Sequence, residues 1–365
     1  MEDHKPHILD LIYLLTIPNI GPGRIRRLLQ VFHSKDEILK APVQKLVRVD
    51  GIDFKLAAQL KKGGDTAEAE KQVHLIEKFQ VQYLTIWDRD YPASLKQISD
   101  PPVILFYKGT VSEEHRQAIA VVGTRTPSSY GKVVTTEIVR ELTARNITII
   151  SGMARGIDAV AHHTALRNGG QTIAVLGCGI DRCYPPENRQ LYTDIPNHGS
   201  IFSEYLIGTG PDATNFPKRN RIISGLSQGT LVIEAGDRSG ALITALYALN
   251  QNREVFAIPG NINSPKSRGT NTLIKQGAKL VQSVDDILEE ISGWTTPGSL
   301  PPKPVPENLS KLETAILSKL SNEPKHIDRL VMELKESPAI ILSGLLNLEL
   351  LGLVQQLSGK MFVRL

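Results

Sequence analysis

The sequence has 365 residues, which is too long for one ordinary domain and fits two or three with a sizeable core. Its formal net charge of +4 is mild, so a nucleic-acid site must come from local clusters of cations. With two cysteines, no charged-then-apolar leader and no apolar run near the ~20 residues of a membrane span, we expect a cytoplasmic protein with reduced thiols and no membrane contact.

Residues 1–75 predict a separate helical domain. An apolar stretch with helical period leads into a Gly-Pro-Gly turn at 21–23, and a second helix follows. This pattern resembles a helix-hairpin-helix turn, whose backbone amides can meet a DNA phosphate. A weaker copy at 49–53 suggests a paired, SAM-like arrangement.

Two interpretations of this helical domain stay open. In one, Arg24, Arg26 and Arg27 support a contact with the DNA backbone. In the other, the turn is a helix connector with a solvated basic face, or part of a protein-interaction module. Asp50 and Asp53 make the second copy unsuited to phosphate.

Residues 76–292 predict a Rossmann-like α/β core with a mostly parallel sheet. Short runs rich in Ile, Val and Ala alternate with amphipathic stretches, as is typical of βαβ units. These runs are 118–122, 147–151, 172–176, 200–203, 230–234 and 254–259. Two further strands, 82–87 and 103–107, should extend the sheet or lead into it, with Trp87 and Tyr91 in the core rather than stacked on bases.

Glycine follows almost every predicted strand, at the carboxyl edge where open α/β sheets bind ligands. It lets the backbone approach a ligand, and the helix starts that follow offer free N–H groups and partial positive charge. Cations accompany these loops at Arg125, Arg155, Arg238 and the run 218–221. One mononucleotide needs one such loop, whereas several in a row suit a polyanion laid across the edge.

Several long motifs in this core occur together in one order. They are Val122-Gly123-Thr124-Arg125 with Ser129-Tyr130-Gly131, then 151–158, 216–227, and Glu234-Ala235 with 239–245. In this the chain resembles the DNA-processing protein A family, also called Smf, over nearly its whole length and most strongly over 118–285.

The resemblance implies a bacterial single-stranded DNA binder that protects incoming DNA during natural transformation of competent cells. It also implies that the protein loads the RecA recombinase onto that DNA. As in the family, we expect a homodimer, and we assign a shared dimer or RecA surface to Leu273, Ile274 and Gln276.

The DNA-binding residues that we predict share a place at the strand ends or helix starts of the core. They are Gly123, Thr124, Arg125, Gly152, Phe216, Lys218, Arg219, Asn220, Arg221, Arg238 and Ser239. Because they contact phosphates, we expect weak sequence preference.

Each of these assignments has a structural alternative. Cations at a helix start oppose the dipole, so the run 218–221 indicates an anion that offsets them, although Arg219 could pair internally. Phe216 could form a hydrophobic staple and Ser239 could be only an N-cap. Arg125 could pair with a carboxylate. Lys266 and Arg268 are either a second phosphate contact or a surface loop.

Catalysis, metal binding and a cofactor are not expected. Cys178 and Cys183 lack a usual zinc spacing or an activating neighbour, the third glycine of a dinucleotide fingerprint is Arg182, and a Walker motif is absent. The alternative of a different class is a phosphoribohydrolase-like enzyme on the same scaffold, in which Glu204 or Glu234 stabilises an oxocarbenium ion.

The C-terminal part predicts a Pro-rich linker at 293–306 and a winged-helix domain at 307–365. The signals are a capping box at Ser310 and Glu313, a helix at 327–334, a helix opened by Ser337-Pro338, and a wing hairpin. DNA contact by the third helix is disfavoured because 337–359 contains no Lys or Arg. A packing role or a protein partner fits its Ile and Leu better.

Overall fold

The computed structural model describes residues 5–111, 117–291, 309–321, 324–357 and 359–364. The linker predicted at 293–306 lies outside these ranges.

The described N-terminal part folds into helices α1 (Ile8–Thr16), α2 (Pro22–Phe32), α3 (Lys35–Lys40), α4 (Val43–Leu46), α5 (Phe54–Lys62) and α6 (Thr66–Lys78). The first turn places Gly21 at the N-cap of α2 and Pro22 in its first position, where a missing N–H costs nothing. In the second copy, the Asp53 carboxylate caps α5 by accepting from the amide of Leu56. The helical domain is therefore confirmed.

One sheet forms the core. Its strands are β1 (Gln82–Thr85), β2 (Ile104–Gly109), β3 (Ala118–Val122), β4 (Thr148–Ser151), β5 (Thr172–Val175), β6 (Gly199–Ser203), β7 (Gly229–Val232), β8 (Glu254–Ala257) and β9 (Lys279–Leu280). Their order is β1-β2-β6-β5-β4-β3-β7-β8-β9. Strand β2 is antiparallel to β1 and β6, and the other pairs are parallel. All six predicted parallel strands are present, together with β9, which is too short to show a periodicity.

Helices cover both faces of this sheet, as buried parallel strands require. They are α7 (Ala93–Lys96), α8 (Ser129–Ala144), α9 (Ile157–Arg167), α10 (Arg189–Asp194), α11 (Asn215–Leu226), α12 (Gly240–Asn250), α13 (Arg268–Lys275) and α14 (Asp285–Glu290). Apolar side chains of α7, α11 and α12 form the core on one face. Those of α8, α9 and α14 form it on the other.

The N-terminal helices pack onto the core through a continuous apolar cluster that includes Phe106 and Ile201 of the sheet. The buried amide of Gln72 on α6 also bonds to both backbone groups of Ile207, each at 3.0 Å. This pairing satisfies a buried polar side chain and fixes the helical domain beside the carboxyl end of β6.

The C-terminal part contains α15 (Lys311–Lys319), β10 (Lys325–His326), α16 (Ile327–Leu334), α17 (Pro338–Leu350), β11 (Val354–Leu357) and β12 (Met361–Arg364). Its strands lie in the order β10-β12-β11. The capping box of Ser310 and Glu313 is formed, and Ser337 caps α17. This is the predicted winged-helix arrangement. Among the described residues, no helix has the length and apolarity needed to cross a membrane.

Candidate nucleic-acid interface

A crevice of about 700 Å³ lies at the carboxyl edge of the sheet, between the loops that follow β3 and β7. From β3 the chain builds the sheet first through β4, β5 and β6, and then on the other side through β7, β8 and β9. Open α/β sheets bind ligands where the order reverses in this way. The starts of α11 and α12 complete the wall and bring the positive ends of their helix dipoles to the crevice.

The structure brings most of the predicted DNA-binding residues to this crevice. Those that line it are Gly123, Thr124, Arg125, Phe216, Arg219, Asn220, Arg238 and Ser239. Lys218 and Arg221 instead line a second cavity, on the other side of α11. Gly152 is buried.

A buried carboxylate fixes the loop that follows β3. Glu234, which is 3% exposed, accepts hydrogen bonds from the amide of Ser128 at 2.8 Å and from its hydroxyl at 2.5 Å. Its backbone carbonyl accepts from the amide of Thr124 at 2.8 Å. Lys266 donates to the carbonyl of Thr126 on the same loop. The exposed Arg125 is therefore presented by a loop that is held at both ends.

Two aromatic rings and a guanidinium stack at the rim of the crevice. The Arg125 guanidinium lies 5.9 Å from the ring centroid of Phe216. Tyr184 stacks on Phe216, with centroids 5.4 Å apart and planes inclined by 30°. Tyr184 is 38% exposed. Sequence reasoning missed it, although an aromatic residue in a loop after a strand at this edge was the available signal.

Arg219 has partners inside the protein. The side chain is 4% exposed, and Nη1 donates to the carbonyl of Gly152 at 2.8 Å and to that of Val175. Burial lowers the pKa of Arg219 to about 10. This guanidinium ties α11 to the ends of β4 and β5, as the internal alternative for Arg219 expected.

The backbone of Gly152 is occupied in the same way. Its amide donates to Oδ2 of Asp158 at 3.1 Å. The sequence predicts that Gly152 contacts DNA, but in the structure this amide already has a partner within the protein. A methyl group on Gly152 would lie 2.7 Å from Nη2 of Arg219 and 2.8 Å from Oδ2 of Asp158, so glycine is needed for this packing. Burial raises the pKa of Asp158, against the opposing effects of Arg219 and two amides.

Arg221 also has its anion within the chain. It is 8% exposed, and its Nη2 lies 2.5 Å from Oε2 of Glu204, with Oδ2 of Asp100 at 3.6 Å from Nε. The cations of this run predict an anion that offsets them against the helix dipole, and for Arg221 these carboxylates, which are remote in sequence, supply it. Lys218 is exposed on the same side of α11 as Arg221.

Ser239 and Asn220 have structural contacts at the crevice. The hydroxyl of Ser239 accepts from the amide of Ala241 at 3.3 Å, which makes Ser239 the N-cap of α12. The amide of Asn220 donates to the carbonyl of Gly240 at 3.3 Å and joins α11 to α12. Arg238 is exposed between these helix starts.

The carboxylates and thiols considered for catalysis or metal binding either have partners within the protein or lack the surroundings that this chemistry needs. Glu204 pairs with Arg221 and Glu234 bonds to Ser128, so each predicted oxocarbenium-stabilising carboxylate has a protein partner. Both thiols are free, and burial raises the pKa of Cys178 to about 11, away from an activated nucleophile. Within the described ranges, His, Cys, Asp and Glu do not gather in groups of three that could hold a metal.

The arginines that follow the Gly-Pro-Gly turn at 21–23 contact protein atoms. Nε of Arg24 donates to the carbonyl of Gly51 at 2.9 Å, which joins the two copies of the turn. Arg26 donates to the carbonyl of Ser99 at 3.2 Å, which joins the helical domain to the core. These contacts favour a structural role for this basic face.

The residues assigned to a dimer or RecA surface lie at the end of α13. Leu273 and Ile274 are half-buried, and Gln276, the C-cap, is exposed. Helix α12 carries exposed apolar side chains, Leu246 at 57% and Leu249 at 64%. Both helices pack on β8.

This fold and site define a class: a Rossmann-like protein whose switch point is lined by exposed arginines and helix starts. The chain belongs to the DNA recombination-mediator protein A family, whose model matches residues 82–292. The DprA winged helix domain matches 300–360, and the SAM-like helix-hairpin-helix tandem matches 11–63. The resemblance to the DNA-processing protein A family is thereby confirmed.

Known relatives extend over most of the chain. Protein Smf of Synechocystis is 35% identical over 383 aligned positions, covering 95% of this chain and 96% of that protein. The X-ray structure of DNA processing protein A from Streptococcus pneumoniae matches with a TM-score of 0.68 at 36% identity, covering 78% and 99% of the two chains. DNA processing protein A from Helicobacter pylori matches with a TM-score of 0.51 at 31% identity, covering 56% and 94%.

Proposed function

We propose that this protein binds single-stranded DNA at the crevice between the β3 and β7 loops, with little sequence preference. The observation that carries the proposal is the stack of Arg125, Phe216 and Tyr184 at the rim, opposite the start of α12. The Helicobacter pylori relative is described as having a unique single-stranded DNA binding mode. Membership in the same family supports the same ligand here.

The chemistry of the rim favours an unpaired strand. Aromatic faces stack on bases only when those bases are not stacked in a duplex, and such stacking is tolerant of sequence. Arg125 and Arg238 are both exposed and supply charge for phosphates, while the amides at the start of α12 add partial positive charge. Thr124, Ser239 and Asn220 add polar contacts along the same wall.

Within this proposal the remaining predicted residues divide into two roles. Lys218 is exposed and contacts phosphate beside the crevice. Gly152, Arg219 and Arg221 are buried and position α11 against the sheet, so their contribution to DNA binding is indirect. Residues 76–292 form the DNA-binding unit, flanked by the helical domain at 1–75 and the winged helix at 307–365.

The finer biological role follows the family. The protein coats incoming DNA in the cytoplasm during natural transformation, loads RecA onto it and carries out no covalent chemistry itself. A homodimer formed through α13 and the exposed leucines of α12 would place two DNA sites on one particle, which makes binding steep in protein concentration. The same surface is our assignment for RecA.

The first test is fluorescence anisotropy of a labelled oligothymidylate, with unlabelled single strand or duplex as competitor. The proposal expects tight binding that only the single strand competes away. Equal competition by duplex, or no binding, overturns it.

RecA filament formation on a strand coated with single-strand-binding protein then tests loading. The variant Ile274→Arg, assayed by light scattering, tests the dimer surface.

A further inference from the structure

A second cavity, of about 750 Å³, lies on the opposite side of α11 from the crevice. Its walls come from both the core and the helical domain. Glu204 and Tyr205 follow β6, Tyr247 lies near the end of α12, and Leu15 and Pro22 belong to α1 and α2. The glycine turn of the helical domain therefore faces this cavity.

Arg221, which lines the cavity, carries a buried donor without an acceptor. Nη1 of Arg221 is buried and has no hydrogen-bond partner among the described residues, although Nη2 pairs with Glu204. The residue is 8% exposed and lines the cavity. An unpaired buried donor costs free energy, which a ligand whose acceptor reaches Nη1 from the cavity would recover.

The other walls suit a flat, uncharged ligand better than a phosphate. The residues Glu204 and Asp100 both line the cavity and their carboxylates would repel a phosphate, but they can accept from the ring N–H or amino groups of a base. A methyl on Gly23 would lie 2.8 Å from Oδ1 of Asp100, so a carboxylate already stands beside the start of α2. The half-buried rings of Tyr205 and Tyr247 offer apolar surface.

One helix separates the two cavities. Pro217 lines the crevice and the next residue, Lys218, lines the second cavity. An α-helix with its side chains is about 10–12 Å wide, so a strand that crosses the first turns of α11 reaches both sides. Lys218 is exposed where such a strand would cross.

We propose that the second cavity is a further subsite for the same DNA strand and takes one nucleobase, while another base of that strand occupies the crevice. The inference rests on the proposed function. The base lies among Tyr205, Tyr247 and the Arg221 side chain, and Lys218 contacts the phosphate between the two subsites. The helical domain then serves DNA binding by closing this subsite with Leu15 and Pro22.

Photo-crosslinking of the full chain to an iodouracil-substituted single strand tests this subsite, with the crosslinked peptides located by mass spectrometry. We expect crosslinks at Tyr205 or Tyr247 in addition to the crevice. Ser99→Trp fills the cavity from an exposed position that lines it, and Gln97→Trp is the matched exposed control that does not. Ser99→Trp should abolish those crosslinks and weaken binding about tenfold, the scale of one lost base stack, and Gln97→Trp should do neither.

The outcomes separate the two proposals. Crosslinks confined to the crevice, with equal affinity in Ser99→Trp and Gln97→Trp, overturn the second subsite and leave the proposed function intact. Failure of the unmodified protein to bind any single strand overturns both. If Ser99→Trp does not fold, Tyr247→Ala decides, since unchanged affinity in that variant also overturns the subsite.

Discussion

Arg221 and Glu204 form an ion pair inside the protein, with 2.5 Å between Nη2 and Oε2 and each side chain 10% exposed. Both charged groups are largely shielded from water, so each needs the other to offset its cost of desolvation. Arg221 belongs to a run of cations that looks like a phosphate site in the sequence, yet Lys218 is the exposed cation of that run in the structure. Stability and DNA affinity should therefore respond to different members of the run.

Replacing Arg221 by alanine should cost about 3–5 kcal/mol of unfolding free energy, because it leaves the buried carboxylate of Glu204 unpaired. Lys218→Ala should change stability by no more than about 0.5 kcal/mol, because the side chain is exposed. Urea unfolding followed by circular dichroism measures both. The double variant Arg221→Ala/Glu204→Ala should be more stable than Arg221→Ala alone. Equal stability of Arg221→Ala and Lys218→Ala would contradict a stabilising ion pair at Arg221.

The fold could be predicted from the sequence where its signals are local. The strands β3 to β8, the cap at Ser239 and the capping box of Ser310 rest on residues close in the chain. The partners of Arg219 and Arg221 could not be predicted in this way. Gly152 and Glu204 are remote in sequence and lie beside α11 only because the sheet brings them there. The pairing of Tyr184 with Phe216 is a contact of the same long-range kind.

The exposed arginines of the crevice should control the salt dependence of DNA binding. Each phosphate contact on a single strand contributes about −0.7 to the slope of log K against log salt. Arg125→Ala and Arg238→Ala should each reduce the slope by roughly that amount. Titrations at several salt concentrations measure it.

Arg167→Ala provides the matched control for these variants. Arg167 is exposed in the last turn of α9, at the opposite edge of the sheet from the crevice. Its removal changes the net charge equally but should leave the slope unchanged. A slope that falls equally in all three variants would show that overall charge, and not the crevice, determines binding.

His162 should make the protein less stable in mild acid. Nδ1 lies 2.7 Å from the hydroxyl of Thr172, which itself donates to the carbonyl of Ile149 and so must accept from the ring. Nε2 is buried without a partner. Burial, reinforced by His163 and Arg219, lowers the pKa of His162 from 6.5 to about 3. The folded state therefore keeps the ring neutral.

The sign of the effect follows from this difference in proton uptake. Below pH 6.5 the unfolded chain binds a proton at position 162 that the folded protein refuses until about pH 3, so stability falls as the pH falls. The loss approaches about 1.4 kcal/mol per pH unit. Asp158, whose pKa is raised by burial, acts in the opposite direction.

Comparison with His162→Gln isolates the contribution of the histidine, because Asp158 is present in both proteins. The variant should be less stable at neutral pH, since it disturbs a buried site. Its stability should nevertheless fall less steeply than that of the unmodified protein between pH 6.5 and 5. Parallel pH profiles in urea unfolding would show that His162 is protonated in the folded state.

The stacked rings at the rim should contribute affinity that salt does not screen. Phe216→Ala removes the ring that lies between Arg125 and Tyr184, and Tyr184→Ala removes the outer ring. Each should weaken binding by about 1–3 kcal/mol, the range for one base stack, while the salt slope stays constant because no phosphate contact is lost.

Gly177→Ala tests the placement of the ring without removing it. A methyl group there would lie 2.7 Å from Cδ1 of Phe216, so the ring must move from its position against Tyr184. Affinity should fall as in Phe216→Ala although every aromatic side chain is retained. If Gly177→Ala binds like the unmodified protein while Phe216→Ala does not, the ring contributes its surface alone. If all three variants bind normally, bases do not stack at this rim, and phosphate contacts of Arg125 and Arg238 must account for the affinity.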